Sequence, residues 1–282
     1  MNSCISVIIS FYNSSEFLEN CIDSVLNQTI NELSLSEYEN NLQIILIDNG
    51  STDNSGEIAK NYAKNYENVE YYHINHRGFN YGLNYGVDIC DGDYISFLNS
   101  EDMISPYAYE RMFNLVTKND SDLATGFVCE FDNGKCINPN QYGPAFFGDE
   151  VTTLKDNPDI LYDSLLFNKL IRHSFFTDND FKFSESVSSV DESIVLQMQN
   201  LANSISIINE PCYYSRIPLI KDFTTSIDDK LSVMRLTDKY IKDNVANLED
   251  KKQIKWLKVD LMKYIDNQKT YQKKSHNIHL IF

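Results

Sequence analysis

Long apolar runs, paired cysteines and positive charge are scarce in this chain of 282 residues. No stretch approaches the about 20 consecutive apolar residues that cross a bilayer, so no transmembrane segment is expected. Met1-Asn2-Ser3-Cys4 leads straight into Ile5–Ser10, too short for a signal core and without a basic start, so no secretory signal is expected either. The six cysteines, Cys4, Cys21, Cys90, Cys129, Cys136 and Cys212, form no Cys-x-x-Cys pair. Cys129 and Cys136 lack a matching second pair, and the expectation is reduced, buried thiols in a cytosolic protein. Lys and Arg number 24 against 41 Asp and Glu, a formal charge of -17. Such a surface repels phosphate backbones and anionic headgroups, which argues against nucleic acid and against a basic membrane footprint. A nucleotide diphosphate can still be met locally by a metal ion. There is no internal repeat and no low-complexity tract.

What the chain does have is a core and an alternation. At 42% hydrophobic residues it can bury a sizeable interior, and its length suits one domain plus an appendage. Ile5 to Phe11 is a β-branched run of strand length. Asn13-Ser14-Ser15 follows as a turn and cap, and Phe17, Leu18, Cys21, Ile22, Val25 and Leu26 recur at helical spacing. Asn31 to Asn41 is expected as a loop, Leu42 to Ile47 as a second strand, and about Glu57 to Tyr66 as a helix. Val69 to His73 is a third strand, Gly78 to Gly86 a loop running into a short helix, and Tyr94 to Leu98 a fourth strand. Ser105-Pro106 opens another helix. Residues 122 to 147 are strand-like with turns. Asp159 to Phe176 is expected to be helical with a break at Asn168-Lys169, and Val190 to Leu201 helical. Ser206 to Ile208 is a strand, and Pro211 to Arg216 is extended. Ile227 to about Tyr271, with the single Trp256, is expected to form two terminal helices. Strands separated by helices imply an α/β fold with a mostly parallel sheet whose ligands sit at the carboxyl ends of the strands.

Three segments carry chemistry, the first two of them at those ends, and each has a plainer alternative. Asn99-Ser100-Glu101-Asp102 either supplies carboxylates to a magnesium- or manganese-bound diphosphate or caps the following helix. Asp48-Asn49-Gly50-Ser51 either accepts hydrogen bonds from a nucleobase or ribose or closes an Asx-turn. The glycines from Gly78 to Gly86 either bring backbone amides near phosphate or make a loop.

Taken in order, the segments at 6–13, 24–29, 45–55 and 91–102 closely resemble the family 2 glycosyltransferases of the GT-A fold. The resemblance continues at Asn168-Lys169-Leu170, at Asp191 and at Glu210 to Arg216, and covers roughly residues 4 to 226. It implies a catalytic domain over 1–226, a helical extension over 227–282 and a Rossmann-like sheet flanked by helices. It implies a nucleotide-sugar donor, usually UDP-linked, a Mn2+ or Mg2+ ion and inversion at the anomeric carbon, as in a hexosyl- or N-acetylhexosaminyl-transferase. Phe11, Tyr12, Asn13 and Asp48 then line the base and ribose pocket, with Gly50, Ser51, Arg77, Gly78, Asn84, Asn99 and Ser100 along the donor. Glu101 is the implied metal ligand and Asp191 the base. Such a base is worth about 10²–10⁴ in rate, roughly 3–5 kcal/mol of barrier. Asp102, Glu192, Tyr214 and Arg216 fall on the phosphate or acceptor side. Bacterial relatives build surface polysaccharide or decorate glycoproteins, which implies a glycan, glycolipid or glycoprotein acceptor. The expected place is the cytoplasm, or the inner membrane face through partners such as a second copy or another glycosyltransferase.

Four departures stand against the family's usual spelling: Asn49 in its Asp-Asp-Gly-Ser, Asn99 and Glu101 in its Asp-Ser-Asp-Asp, Gly82-Leu83 in its Ala-Arg-Asn, and Val190 in its Glu-Asp. They thin the charge around metal and phosphate, with Arg77 or Arg216 as stand-ins for the lost arginine. They leave open a catalytically weak or inactive GT-A domain that binds glycan or a partner. A nucleotidyltransferase is disfavoured, because Phe11 to Ser15 contains neither glycine nor lysine. Tyr142, Phe146, Phe147, Tyr213 and Tyr214 either stack on sugar rings or pack as interior aromatics.

Overall fold

Strand β1 (Ser3–Phe11) is the strand on which the sheet is built. Ile5, Val7, Ile8 and Ile9 are all buried, the mark of a strand covered on both faces rather than one. β2 (Asn40–Asp48) and β4 (Tyr94–Phe97) flank it in parallel, and β3 (Val69–His73) continues in parallel beyond β2. The connections carry α1 (Leu18–Leu26), α2 (Ser55–Asn65) and α3 (Phe79–Ile89). The strand order β3-β2-β1-β4 reverses at β1, so the gap between the ends of β1 and β4 is a topological switch point, where α/β sheets bind ligands.

This computed structural model describes residues 3–33, 35, 38, 40–132, 135–139, 151–157, 160, 163–185 and 193–216. They belong to the unit Met1–Lys221; the second unit, Asp222–Phe282, with the expected terminal helices and the boundary at 226/227, lies outside them. Beyond β4 come β5 (Met103–Ile104), α4 (Ala108–Asn119), β6 (Leu123–Asp132), β7 (Lys135–Pro139), β8 (Val151–Thr152), β9 (Lys169–Arg172), α5 (His173–Asp178), α6 (Ser193–Leu201) and β10 (Ile205–Arg216). This half of the sheet is mixed. β9 lies antiparallel between β4 and β6, β10 runs parallel to β6, and β5 returns antiparallel to β10.

Three expectations change. The stretch expected to be helical around 159–176 contains β9, followed by the short helix α5. Lys169, Leu170 and Ile171 are buried between two neighbouring strands, and a short run buried on all sides shows no strand-like alternation. The segment expected as a loop running into a short helix is helical from Phe79 on, with Gly78 just before it and Gly82 and Gly86 inside it. A Cβ at Gly82 would lie 2.3 Å from Ser10 Oγ, and one at Gly86 2.4 Å from Ile8 Cγ2, so these glycines let α3 sit close on β1. Cys4, Cys21, Cys90 and Cys212 are thiols outside any disulfide, whereas Cys129 is disulfide-bonded, against the expectation of reduced thiols throughout.

Candidate active site

Phe11, Asp48 and His73 stand opposite one another in register, so three parallel strands end on one level rung. Asp48 is only 3% exposed. Its Oδ1 accepts from Ser51 N at 2.7 Å, and its Oδ2 lies 3.0 Å from Tyr71 Oη and 3.3 Å from His73 Nδ1. Burial opposes ionisation, yet the hydrogen bonds from Ser51, Tyr71 and His73 outweigh it and hold the carboxyl below its ordinary range. The Asx-type turn is therefore present, with the carboxylate tied to β3 as well. Gly50 closes the turn at φ 80, where a side chain would be strained.

The loop after β1 is bound to this turn. Asn13, at φ 52, accepts on Oδ1 from Thr52 N at 2.8 Å, and its own N donates to Ser51 Oγ at 3.0 Å. The Tyr12 ring is exposed and lies 4.6 Å from that of His76. Arg77 is held by its N, which donates to Asn49 Oδ1 at 3.0 Å, and its guanidinium lies 3.9 Å over the Tyr81 ring. Gly78, at φ 98, then opens α3. Leu83 is fully buried, so interior packing occupies the place of the expected arginine. Asn84 has both ends of its amide engaged with Phe183 main chain.

The acidic segment after β4 divides its two carboxylates. Asp102 is buried: Oδ2 accepts from Tyr213 Oη at 2.5 Å and Asn99 Nδ2 at 2.9 Å, and Oδ1 accepts from Arg216 N at 2.6 Å. Burial raises its pKa despite those three donors. Asp102 thus ties the segment to β10. Glu101 is exposed at the rim. Ser100 is buried, with its hydroxyl 2.8 Å from that of Ser14 across the switch point. Arg216 donates from Nε to Glu101 O at 3.1 Å, and its guanidinium lies 4.3 Å from the Phe17 ring centre and 4.9 Å from that of Phe131. Tyr214 stands opposite Met103 of β5, its ring edge-on to Phe131. Asp191 and Glu192, like Tyr142, Phe146 and Phe147, lie outside the described residues.

Among the described residues no group of three or more His, Cys, Asp and Glu is placed to hold a metal. The donor set fits an ion carried mainly by a diphosphate, because magnesium and manganese in such sites take only one or two protein carboxylates. Glu101 has the exposure for that part, and Asp102 is withdrawn from it.

The model of glycosyl transferase family 2 matches residues 6–177, from within β1 through β9. The chain belongs to that family. Among its relatives is the poly(ribitol-phosphate) beta-glucosyltransferase of Bacillus spizizenii, 28% identical over 94% of this chain and 41% of its own length. The chain therefore spans less than half of that relative. Staphylococcus aureus TarS, solved in complex with UDP-GlcNAc, superposes with a TM-score of 0.71 at 22% identity, over 87% of this chain and 68% of that one. The mannosyltransferase PcManGT of Pyrobaculum calidifontis, solved with GDP-Man and Mn2+, gives 0.57 at 13% identity, over 86% and 66%. The family 2 chain thus has the GT-A fold, a curled mixed sheet with flanking helices.

Sequence reasoning missed Ser14, Tyr71 and His73. The last two were legible, since they stand two apart on a strand and so share a face beside Asp48. Ser14 was not, because its partner Ser100 comes from a distant loop.

Proposed function

We propose that this family 2 domain transfers a sugar from a nucleoside-diphosphate sugar, most naturally UDP-linked, to a hydroxyl of a bacterial surface glycan or glycoconjugate, with inversion. The observation that supports this most is the convergence of the Asp48 turn, the Ser14 loop and the Glu101 segment on the switch point between β1 and β4. Tyr12 and His76 offer ring faces for a base, and Arg77 and Arg216 offer guanidinium charge at the same rim.

In this reading Asp191 takes the proton of the acceptor hydroxyl as its oxygen attacks the anomeric carbon. The bond from that carbon to the diphosphate oxygen breaks, and the nucleoside diphosphate leaves. A Mn2+ or Mg2+ ion held by Glu101 and the diphosphate would neutralise charge on the leaving group. The names of the relatives support the substrate classes: one acts on poly(ribitol-phosphate), and TarS was solved with UDP-GlcNAc. A place on the cytoplasmic side, where such donors are made, belongs to the same proposal.

The deciding experiment is a donor screen by nucleoside-diphosphate release, run on wild type, Asp191→Asn and Glu101→Ala. Turnover should fall at least about 100-fold in Asp191→Asn. Unchanged turnover in both variants sinks the site assignment. No release from any donor, with no thermal shift from UDP and Mn2+, leaves a non-catalytic binding domain.

A further inference from the structure

A cavity of about 580 Å³ lies at the other end of the sheet from the donor rim. Tyr94, the first residue of β4, forms part of its wall and stands opposite Ile5 near the start of β1. The rim lies at Phe11, about 20 Å further along that strand. The wall is held by the core behind it. Asp91 N donates to Gln43 Oε1 at 3.1 Å, and Gly92 N donates to Ser6 Oγ at 2.9 Å. A Cβ at Gly92 would lie 2.6 Å from Ser6 N, so only glycine lets the turn sit this close. His173 fixes the same turn, since its N donates to Asp93 O at 2.8 Å and its Nδ1 to Gly92 O at 2.9 Å. Tyr38 Oη donates to Asp93 Oδ2 at 2.8 Å. Arg172, also in the wall, donates from Nη2 to Asp120 Oδ1 at 2.8 Å and to Ser121 O at 3.1 Å, with its guanidinium 5.6 Å from the Tyr94 ring centre. Polar groups fixed before anything binds cost a ligand little ordering.

The lining narrows the occupant. Asp91 and Asp93 bring two carboxylates, and the one guanidinium, that of Arg172, already has Asp120 as its partner. The excess of negative charge repels phosphate, so a nucleotide does not suit the cavity. A bare amine would use the acceptors alone. Sugar hydroxyls both donate and accept, and so use the carboxylates together with the Arg172 and Ser174 donors. The half-buried Tyr38 ring adds an apolar face for the C–H side of a sugar. We propose that this cavity binds a neutral saccharide, a segment of the acceptor glycan away from its reacting end. That the saccharide belongs to the acceptor rests on the reading of the acceptor as a glycan. A glycan held at a second point on the same domain meets the donor rim at a raised effective concentration.

The test uses the full chain and three neutral trisaccharides, maltotriose, cellotriose and chitotriose, titrated by calorimetry with and without saturating UDP and Mn2+. At least one should bind with a Kd of about 0.1–10 mM, and equally well with UDP present. Asp93→Ala and Ser174→Trp should each weaken that binding at least about tenfold and keep the Kd for UDP with Mn2+ within about twofold. Asp93→Ala removes a carboxylate, whereas Ser174→Trp fills the cavity from an exposed position, so the second variant decides if the first does not fold. Binding by none of the three overturns the proposal, as does competition with UDP or unchanged binding in Ser174→Trp. The titration does not read turnover. A wild type that binds a trisaccharide here and turns over no donor keeps the site and loses its acceptor role. A wild type that is active and binds none of them defeats this site alone.

Discussion

The hydroxyls of Ser14 and Ser100 lie 2.8 Å apart and join the loop after β1 to the loop after β4, across the point where the strand order reverses. Both residues are buried. Removing either hydroxyl loses this bond, at a cost of about 0.5–1.5 kcal/mol. A double-mutant cycle of Ser14→Ala and Ser100→Ala in urea should give a coupling near ~1 kcal/mol. Strict additivity would mean the contact contributes nothing.

Asp53 makes the acid side of stability testable. Its carboxylate accepts from Ser55 N at 2.9 Å, Ser55 Oγ at 2.5 Å and Ser15 N at 3.1 Å. Slight burial opposes ionisation, but these bonds bring its pKa down to about 2. An unfolded aspartate titrates near ~3.9, so the stabilisation is whole above about pH 4 and is lost as pH falls toward about 2. Asp53→Asn should lower the melting temperature modestly at pH 7, and the gap should close as pH is lowered through that window. A gap that widens in acid would reverse the assignment.

Ser10 and Gly82 test the close seat of α3. Ser10 Oγ is buried with no hydrogen-bond partner among the described residues, so Ser10→Ala should gain up to about 1 kcal/mol. Gly82→Ala should cost about 1–3 kcal/mol, because its Cβ would meet Ser10 Oγ at 2.3 Å. In the Ser10→Ala background that cost should shrink. Denaturant midpoints in the two backgrounds measure it, and an equal cost in both would refute the contact.

Lys169 and Asp163 form a buried pair, Nζ to Oδ2 at 2.7 Å, with side chains 1% and 0% exposed. Burial draws the lysine pKa down even with the carboxylate beside it. Asp163 also accepts from Thr125 Oγ1 at 2.6 Å and Asn168 Nδ2 at 2.9 Å. Lys169→Met should cost about 3–5 kcal/mol by leaving a buried carboxylate without its cation. Adding Asp163→Leu should recover part of that loss in urea unfolding; a loss equal to the sum of the two single variants would show no coupling.

The legible and illegible parts of this chain differ in kind. β1, β2 and β4 were readable because strands buried on both faces are mostly apolar and are cut by Asp, Asn, Ser and Gly. β9 was not, since Leu170 and Ile171 are buried between two strands in a run too short to show a period. The glycines of α3 misled because turn formation and close packing call for the same residue. Gly82 and Gly86 answer to the second need.

The sequence by itself determined the alternating first half, the family and the strand ends where Asp48 and Asn99 to Asp102 stand, because local periodicity and turn chemistry act between near neighbours. Only the tertiary structure decided which carboxylate of the acidic segment turns inward. Asp102 is held by Tyr213 and Arg216, partners 111 and 114 positions away, and Glu101 is left at the rim. A side chain's role there depends on which donors the sheet register brings within about 3 Å, and that register couples residues far apart in the chain.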